Sequence, residues 1–303
     1  MGDLMLDVVL TPTVTLEIGT DVPGLIVLRQ GGSAANTARW LARLGASSTL
    51  VTSVGSDAVG RALVAALRDD RVSVRAARKA GRPTGRIGVL VGSGGERSFI
   101  ADRGAADALA PVDLRASWFA GADLTHLPFY SLIGEPLGSA GRSAVELTRA
   151  QGGLVSIDLA STGPLLAEGR RQALARLAEA APDVLFATAQ EARSLLGAGS
   201  LGRLLELAPI AVVKRGARGA TVLARSGPGP GQSRLRFDVA TRPIEAADTT
   251  GAGDAFDAGF IVAWLRARRS GVASGTALSR SVLAGHRAAA RQLTSSRGEL
   301  SFG

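Results

Sequence analysis

The chain has 303 residues, 46% hydrophobic and 20% charged, which suits one large folded domain or two small ones and argues against general disorder. It has no cysteine and only two histidines, which excludes disulfides and thiolate chemistry and argues against a histidine metal cluster. The net charge is +9, from arginines scattered without a basic run. We therefore expect no nucleic-acid partner, and a positive field that attracts small anions such as nucleotides.

The chain shows no signal for secretion or for membrane insertion. It starts Met1-Gly2-Asp3 without a basic segment followed by an apolar core, and no apolar stretch is long and uncharged enough to span a bilayer. We expect a cytoplasmic protein without a membrane partner.

The N-terminal third alternates β-rich and helical segments. Apolar runs predict strands at residues 4–10 and 48–54, and helical patterns follow at 34–44 and 57–67. Residues 11–30, broken by proline and glycine, predict short strands joined by turns. Residues 85–91 and 97–101 flank a glycine-rich turn and predict a hairpin. Residues 6–30 and 85–101 together predict a small β-rich lid.

The remainder of the chain alternates short apolar strands with helical segments. Short apolar strands at 122–127, 154–158, 184–187 and 211–214 alternate with helical segments such as 139–151 and 169–180. Residues 220–224 and 234–239 flank a loop at 225–233 that reads as a flexible hairpin tip, and the rest is helix-rich. This alternation predicts one three-layer α/β domain over residues 1–303, with a mainly parallel central sheet.

The segment DTTGAGDAF, residues 248–256, carries the strongest chemical signal. Gly251, Ala252 and Gly253 precede an apolar helical run at 255–265, so the backbone there can approach a ligand closely. The free N–H groups and the dipole of a helix start favour an anion. Asp254 is then either a base beside that anion or a plain helix cap.

Other phosphate-binding motifs do not account for this segment. The sequence lacks the G-x-x-x-x-G-K-[ST] pattern of P-loop enzymes. Gly251 and Gly253 lack the third glycine of a dinucleotide fingerprint and come late in the chain, whereas that fingerprint opens the first βαβ unit.

Two long motifs carry a resemblance to a known family. They are GGSAANTA at residues 31–38, continuing to Gly45 and Gly55, and DTTGAGDAFDAGFI at residues 248–261. In this order and spacing they resemble the signatures of the ribokinase-like (PfkB) carbohydrate kinases. Shorter matches, among them residues 2–7, 102–105, 190–191 and 213–216, extend the resemblance over nearly the whole chain.

The resemblance implies a role for each candidate residue. Asp254 would deprotonate the acceptor hydroxyl, and the backbone of Gly251, Ala252 and Gly253 would hold the transferring phosphoryl group. The sugar-binding candidates are Asp7, Gly31, Gly32, Asn36 and Arg103. Structural readings remain open: a backbone-paired aspartate for Asp7, a helix-opening turn for the glycines, and a solvent-facing arginine for Arg103.

The other substrate would be ATP with Mg²⁺. The resemblance assigns nucleotide contacts to Glu191, Lys214, Gly216, Thr249 and His286. Glu191 would act on Mg²⁺ through water, although Thr188 stands where the family has asparagine. The carbonyl oxygens of Asp248 and Thr250 are candidate ligands for a monovalent cation such as K⁺. A helix-start glutamate, a solvated lysine and a packing histidine are the structural alternatives.

The sequence thus predicts an ATP-dependent kinase for the hydroxyl of a small ribose-, fructose- or 2-keto-3-deoxygluconate-like carbohydrate. Ser33 stands where ribokinases carry a lysine, which weighs against ribose itself. A nucleoside kinase is the alternative, and a non-catalytic binding regulator is a weaker one. The exposed face of the lid sheet predicts a homodimer.

Overall fold

The structure is a computed structural model, which describes residues 1–92, 96–225, 234–246, 248–271, 274–295 and 298–300. Its strands are β1 (Met5–Pro12), β2 (Gly24–Gly31), β3 (Thr49–Gly55), β4 (Ser73–Lys79), β5 (Arg86–Val91), β6 (Arg97–Asp102), β7 (Leu124–Pro128), β8 (Leu154–Asp158), β9 (Val184–Thr188), β10 (Ile210–Lys214), β11 (Ala220–Arg225) and β12 (Arg234–Val239). Its α-helices are α1 (Ser33–Arg43), α2 (Ala58–Asp69), α3 (Leu137–Ala150), α4 (Thr162–Leu166), α5 (Arg170–Ala180), α6 (Ala189–Leu196), α7 (Ala252–Arg269) and α8 (Ser274–Thr294).

Six strands form the largest sheet, in the order β12-β11-β10-β9-β8-β7. Strands β7 to β10 pair in parallel, and β11 and β12 add antiparallel. Side chains such as Ile157, Phe186 and Val212 are fully buried because helices cover both faces. Helices α3, α5 and α6 contribute to the core on one face, and α7 and α8 to the core on the other. The predicted three-layer α/β architecture is therefore confirmed.

A second sheet of four strands has the order β2-β1-β5-β6. Its strands lie in the ranges predicted for the lid except for the end residues Met5, Gly31 and Asp102, and residues 13–23 carry no strand. The turn of the predicted hairpin at 93–95 and most of the predicted loop at 225–233 lie outside the described residues. The pairing register puts Asp7 opposite Arg29 on β2 and opposite Ile87 on β5, so one face of this sheet carries these three side chains.

Strands β3 and β4 form a parallel pair of their own. The start of the chain bridges this pair and the large sheet, since the N–H of Gly2 donates to the carbonyl of Val51 on β3 (3.0 Å) and the amino group of Met1 donates to the carbonyl of His126 on β7 (2.6 Å). The sequence pattern did not predict β4, whose residues Arg75 and Arg78 interrupt its short apolar side chains.

Close helix packing brings the two motif segments together. A Cβ on Gly259 of α7 would lie 2.6 Å from the carbonyl oxygen of Ala284 on α8, so only glycine allows this approach. Helix α1 packs against the same pair through Trp40, whose indole N–H donates to Gln292 Oε1 (2.9 Å). As a result the first turn of α1 faces the first turn of α7.

Candidate active site

Asp254 lies in the first turn of α7, which begins at Ala252 rather than at the predicted Ala255. Gly251 precedes the helix in the left-handed conformation (φ 78°), which allows the chain to enter it so abruptly. The Asp254 carboxylate accepts hydrogen bonds from Ser33 Oγ (2.6 Å, to Oδ1) and from Asn36 Nδ2 (2.9 Å, to Oδ2). Helix α1 therefore orients both oxygens of the candidate base.

The environment of Asp254 tunes its proton affinity. Burial raises the pKa of this carboxyl to about 6, against the hydrogen bonds from Ser33 and Asn36 and the charge of Lys214, which favour the ionised form. A base whose pKa lies near but below neutral pH is ionised at physiological pH and still accepts a proton effectively. Asp254 is thus suited to general-base chemistry rather than to capping alone.

The first turn of α7 carries the backbone N–H groups that the sequence predicts to bind an anion. A helix start leaves its first N–H groups without acceptors inside the helix, and those of Gly253 and Asp254 are among them. The N–H of Ala252, which the sequence assigned to the same role, instead donates to the carbonyl of Thr249 (3.2 Å). The anion-binding contribution therefore centres on Gly253 and Asp254.

Lys214 lies directly behind this turn. Its Nζ is 3.1 Å from Asp158 Oδ2 and 3.1 Å from both oxygens of Asp257, which is fully buried. A Cβ added to Gly253 would lie 3.4 Å from the same Nζ. Burial opposes the charged form, but Asp158 and Asp257 outweigh it and raise the pKa of Lys214. A permanent positive charge therefore lies beneath the anion-binding turn.

Glu191 and Asp158 form the acidic side of the site. Glu191 is buried in a capping box with Thr188, in which the N–H of Thr188 donates to Glu191 Oε2 (2.7 Å) and the N–H of Glu191 donates to Thr188 Oγ1 (3.2 Å). Burial and the charge of Asp158 raise the pKa of Glu191. Asp158 Oδ1 is buried with no hydrogen-bond partner in the described part of the chain, which suits a water ligand of Mg²⁺.

At the opposite end, Asp7 is buried and its carboxylate lies against Gly31, where a Cβ would come within 1.8 Å of Oδ1. Gly32 has φ 100° and, with a Cβ, would approach the Asp3 carbonyl oxygen to 2.6 Å. Both glycines are thus required sterically. The structure brings them, Asp7 and Asn36 to the end of the site that the sequence predicted for the acceptor.

Asp3 and Tyr130, which the sequence did not single out, border this end. Tyr130 Oη donates to Asp3 Oδ1 (2.9 Å), which also accepts the N–H of Ala34 (3.2 Å) and so caps α1. The guanidinium of Arg103 stacks on the Tyr130 ring at 4.6 Å, and its Nη1 is 3.6 Å from Asp3 Oδ2. Arg103 also pairs with Asp107. The Nη2 atom of Arg103 is buried with no hydrogen-bond partner among the residues described.

The remaining nucleotide candidates are less engaged. Thr249 and Gly216 are exposed. The His286 ring packs on Phe256 (5.4 Å between centroids), and burial lowers its pKa. Contact of these three residues with a nucleotide stays a prediction.

The carbonyl oxygens of Asp248 and Thr250 are the groups proposed for a monovalent cation, and the side chains of these residues make ion pairs and hydrogen bonds of their own. Asp248 Oδ1 is 2.7 Å from Arg97 Nη1, and Asp248 Oδ2 accepts from Arg29 Nη1 (2.9 Å). Arg97 also donates to the Thr250 hydroxyl, and Gln292 Nε2 donates to the Thr250 carbonyl (2.9 Å). Two guanidinium groups therefore hold the Asp248 carboxylate, and potassium binding at the carbonyl oxygens stays a prediction.

Two properties of the described ranges concern membranes and metal ions. No helix there combines the length and apolar character that crossing a bilayer requires. No group of three or more His, Cys, Asp or Glu side chains there is arranged to hold a metal ion.

Comparison with known proteins finds similar proteins along nearly the whole chain. The family profile of the pfkB family carbohydrate kinases matches residues 2–301. A fructokinase from Klebsiella pneumoniae is 32% identical over 254 residues, covering 81% of this chain and 80% of its own. An ATP-dependent ribose-1-phosphate kinase from Halopiger xanaduensis is 34% identical over 248 residues, covering 78% and 73%. An E. coli protein described as a ribokinase II, solved with ATP and Mg²⁺, superposes with a TM-score of 0.74 at 25% identity, covering 94% and 90%.

Proposed function

The chain belongs to the pfkB family of carbohydrate kinases, and on that premise we propose that it transfers the γ-phosphoryl group of ATP to a hydroxyl of a small neutral sugar, with fructose the first candidate. The observation that carries this proposal is the Asp254 carboxylate, held by Ser33 and Asn36 at the start of α7. The fructokinase from K. pneumoniae supports the choice of fructose.

In the proposed reaction Asp254 takes the proton of the acceptor hydroxyl as its oxygen attacks the γ-phosphorus. A bond forms between these atoms, the bond from the γ-phosphorus to the bridging oxygen breaks, and ADP leaves. The N–H groups of Gly253 and Asp254, the α7 dipole and the charge of Lys214 stabilise the negative charge of the transferring group. In phosphoryl transfer the protein contributes mainly by positioning the reactants and stabilising charge.

Mg²⁺ bound with ATP would neutralise phosphate charge. Asp158 and Glu191 are the residues that would hold it, through its water ligands, because hydrated Mg²⁺ keeps several waters. This assignment gives Asp158 a task that the sequence had left to Glu191 alone.

The acceptor would lie between Asp7, Gly31, Gly32 and Asn36. A carboxylate can accept hydrogen bonds from two sugar hydroxyls, and the glycine backbone allows the ring to come close. Asn36 donates a hydrogen bond to Asp254, so the amide that orients the base also lies where it can contact a sugar hydroxyl.

A sugar acid is the second candidate acceptor. The unpartnered Nη2 of Arg103 favours it, because a guanidinium binds a carboxylate through two parallel hydrogen bonds. A neutral sugar would engage this atom with a single hydroxyl.

The location of the enzyme in the cytoplasm, where ATP is available, stays a prediction.

A screen for ADP release tests the proposal. Fructose, ribose, 2-keto-3-deoxygluconate and adenosine are each incubated with Mg-ATP, and we expect the greatest kcat/KM with fructose. Asp254→Asn should lower kcat by about 10²–10⁴-fold while ATP still binds in calorimetry, because the base is lost and the nucleotide contacts remain.

Asp123→Asn, at an exposed carboxylate, is the matched control and should retain full activity. Turnover of adenosine alone would establish the nucleoside kinase instead. Turnover of Asp254→Asn near the wild-type rate would refute the assignment of the base.

A further inference from the structure

Two arginines of the four-stranded sheet reach the segment that leads into α7. Arg29 on β2 and Arg97 on β6 lie on the sheet face that carries Asp7, as the pairing of Asp7 with Arg29 and of Val91 with Arg97 requires. Both guanidinium groups contact Asp248, one at each carboxylate oxygen, at 2.9 Å and 2.7 Å. The sheet that would cover the acceptor is therefore joined to the start of the anion-binding segment.

Asp248 contacts the backbone of the turn, and Arg97 contacts a side chain of it. The N–H of Thr250 donates to Asp248 Oδ1 (2.9 Å), and Arg97 donates to the Thr250 hydroxyl. On the other side, Gln292 of α8 holds the Thr250 carbonyl. Thr250 immediately precedes Gly251, whose left-handed conformation starts α7. The turn is thus held between Arg97 from the sheet and Gln292 from the helix layer.

The ion pair between Arg97 and Asp248 can fix the position of the turn relative to the four-stranded sheet. Only 13% of the Arg97 side chain is exposed, so its ion pair is shielded from water and salt better than a surface pair. Charge-assisted hydrogen bonds of this kind fix geometry as well as contribute energy. By contrast, Arg86 pairs with Asp102 on the same sheet with 55% and 56% exposure and touches no part of the turn.

We propose that Arg97 is a positioning residue for phosphoryl transfer, which couples the seating of the four-stranded sheet over the acceptor to the shape of the anion-binding turn through Asp248 and Thr250. This inference rests on the proposed kinase function.

Steady-state kinetics of Arg97→Met, Arg97→Lys and Asp248→Asn, with Arg86→Met as the matched control, test the coupling. We expect Arg97→Met to lower kcat about 100-fold, since a displaced reacting group costs this much, with the KM for Mg-ATP nearly unchanged. Arg97→Lys should recover part of the loss. The double variant Arg97→Met/Asp248→Asn should be no slower than the slower single variant.

Two outcomes would overturn the inference: Arg97→Met as active as Arg86→Met, or additive losses in the double variant. A loss confined to the KM of the sugar would also overturn it, because it would make Arg97 a ligand contact only.

Hydrogen exchange of the substrate-free protein separates this inference from the kinase proposal. If Arg97 holds the turn, the peptide over residues 248–256 exchanges faster in Arg97→Met than in wild type or Arg86→Met, whatever sugar the enzyme uses. Equal exchange in all three proteins would contradict the coupling, and absence of turnover with every acceptor would contradict the kinase proposal alone.

Discussion

At the scale of single residues, the site depends on a carboxylate whose two oxygens are both occupied by neighbours from another helix. The sequence identified Asp254, Asn36 and the glycines because their spacing is written in two motifs. It could not identify the hydrogen bond from Ser33, because that contact depends on how α1 and α7 cross. It also missed Asp3 and Tyr130, whose pairing joins residues 127 positions apart.

The Ser33 hydrogen bond predicts a shift in the pH profile. The Ser33 hydroxyl favours the ionised form of Asp254 and lowers its pKa against the effect of burial. Its removal in Ser33→Ala should therefore raise that pKa above about 6, and the fall of kcat/KM on acidification should begin at higher pH.

Ser33→Thr keeps the hydroxyl and should keep the wild-type profile. The measurement is kcat/KM from acid to neutral pH in the three proteins. An unchanged acid limb in Ser33→Ala would mean that Ser33 does not act on the ionisation of the base.

At the scale of elements, the carboxyl ends of the parallel strands carry the charged residues behind the anion-binding turn. Asp158 ends β8 and Lys214 ends β10, as parallel strands place their carboxyl ends at one edge of a sheet. The strand pattern alone could have suggested Asp158. It could not show that Asp257 of α7 completes the group, because Asp257 looks like one more polar position on a helix.

Loss of Lys214 should therefore weaken the fold as well as catalysis. Lys214→Met leaves the buried Asp158 and Asp257 without their cation, and breaking a buried pair in this way costs about 3–5 kcal/mol. Lys79→Met removes the only other lysine, which pairs with the more exposed Asp113, and should cost about 0–1 kcal/mol.

Denaturant unfolding of both variants measures the two free energies. Lys214→Met/Asp257→Asn should recover part of the lost stability, since one uncompensated charge is removed. If Lys214→Met unfolds at the same denaturant concentration as Lys79→Met, the charged group does not hold α7 to the sheet.

At the scale of the whole molecule, the sequence predicted the layered architecture but not the side-chain contacts that connect the four-stranded sheet to α7. Alternating strands and helices implied the parallel sheet, because each strand needs a crossover of helical length. The contacts of Arg29 and Arg97 with Asp248 join residues 219 and 151 positions apart. Only the placement of the four-stranded sheet against α7 creates them, and the sequence therefore indicated no partner for the Asp248 carboxylate.

The face of the four-stranded sheet opposite to Asp7 predicts the assembly of the protein. Ile26 and Ile100 lie on the face opposite to Asp7, because Ile26 pairs with Leu10 and Ile100 with Gly88, and they are 66% and 79% exposed. Exposed apolar side chains that share one sheet face mark an interaction surface. We therefore expect a homodimer in which two such faces meet.

Light scattering on protein eluted from a size-exclusion column measures the mass of the particle, which is compared with the 30.8 kDa of one chain. Ile100→Asp buries a charge in the expected interface and should convert the dimer to monomers, whereas Val112→Asp, at a side chain that is 89% exposed and lies outside the sheet, should leave it a dimer. A monomeric wild type, or an Ile100→Asp variant that stays dimeric, would show that this face does not join two copies. Because the face opposite to Asp7 forms the contact, both active sites should remain accessible to sugar in the dimer.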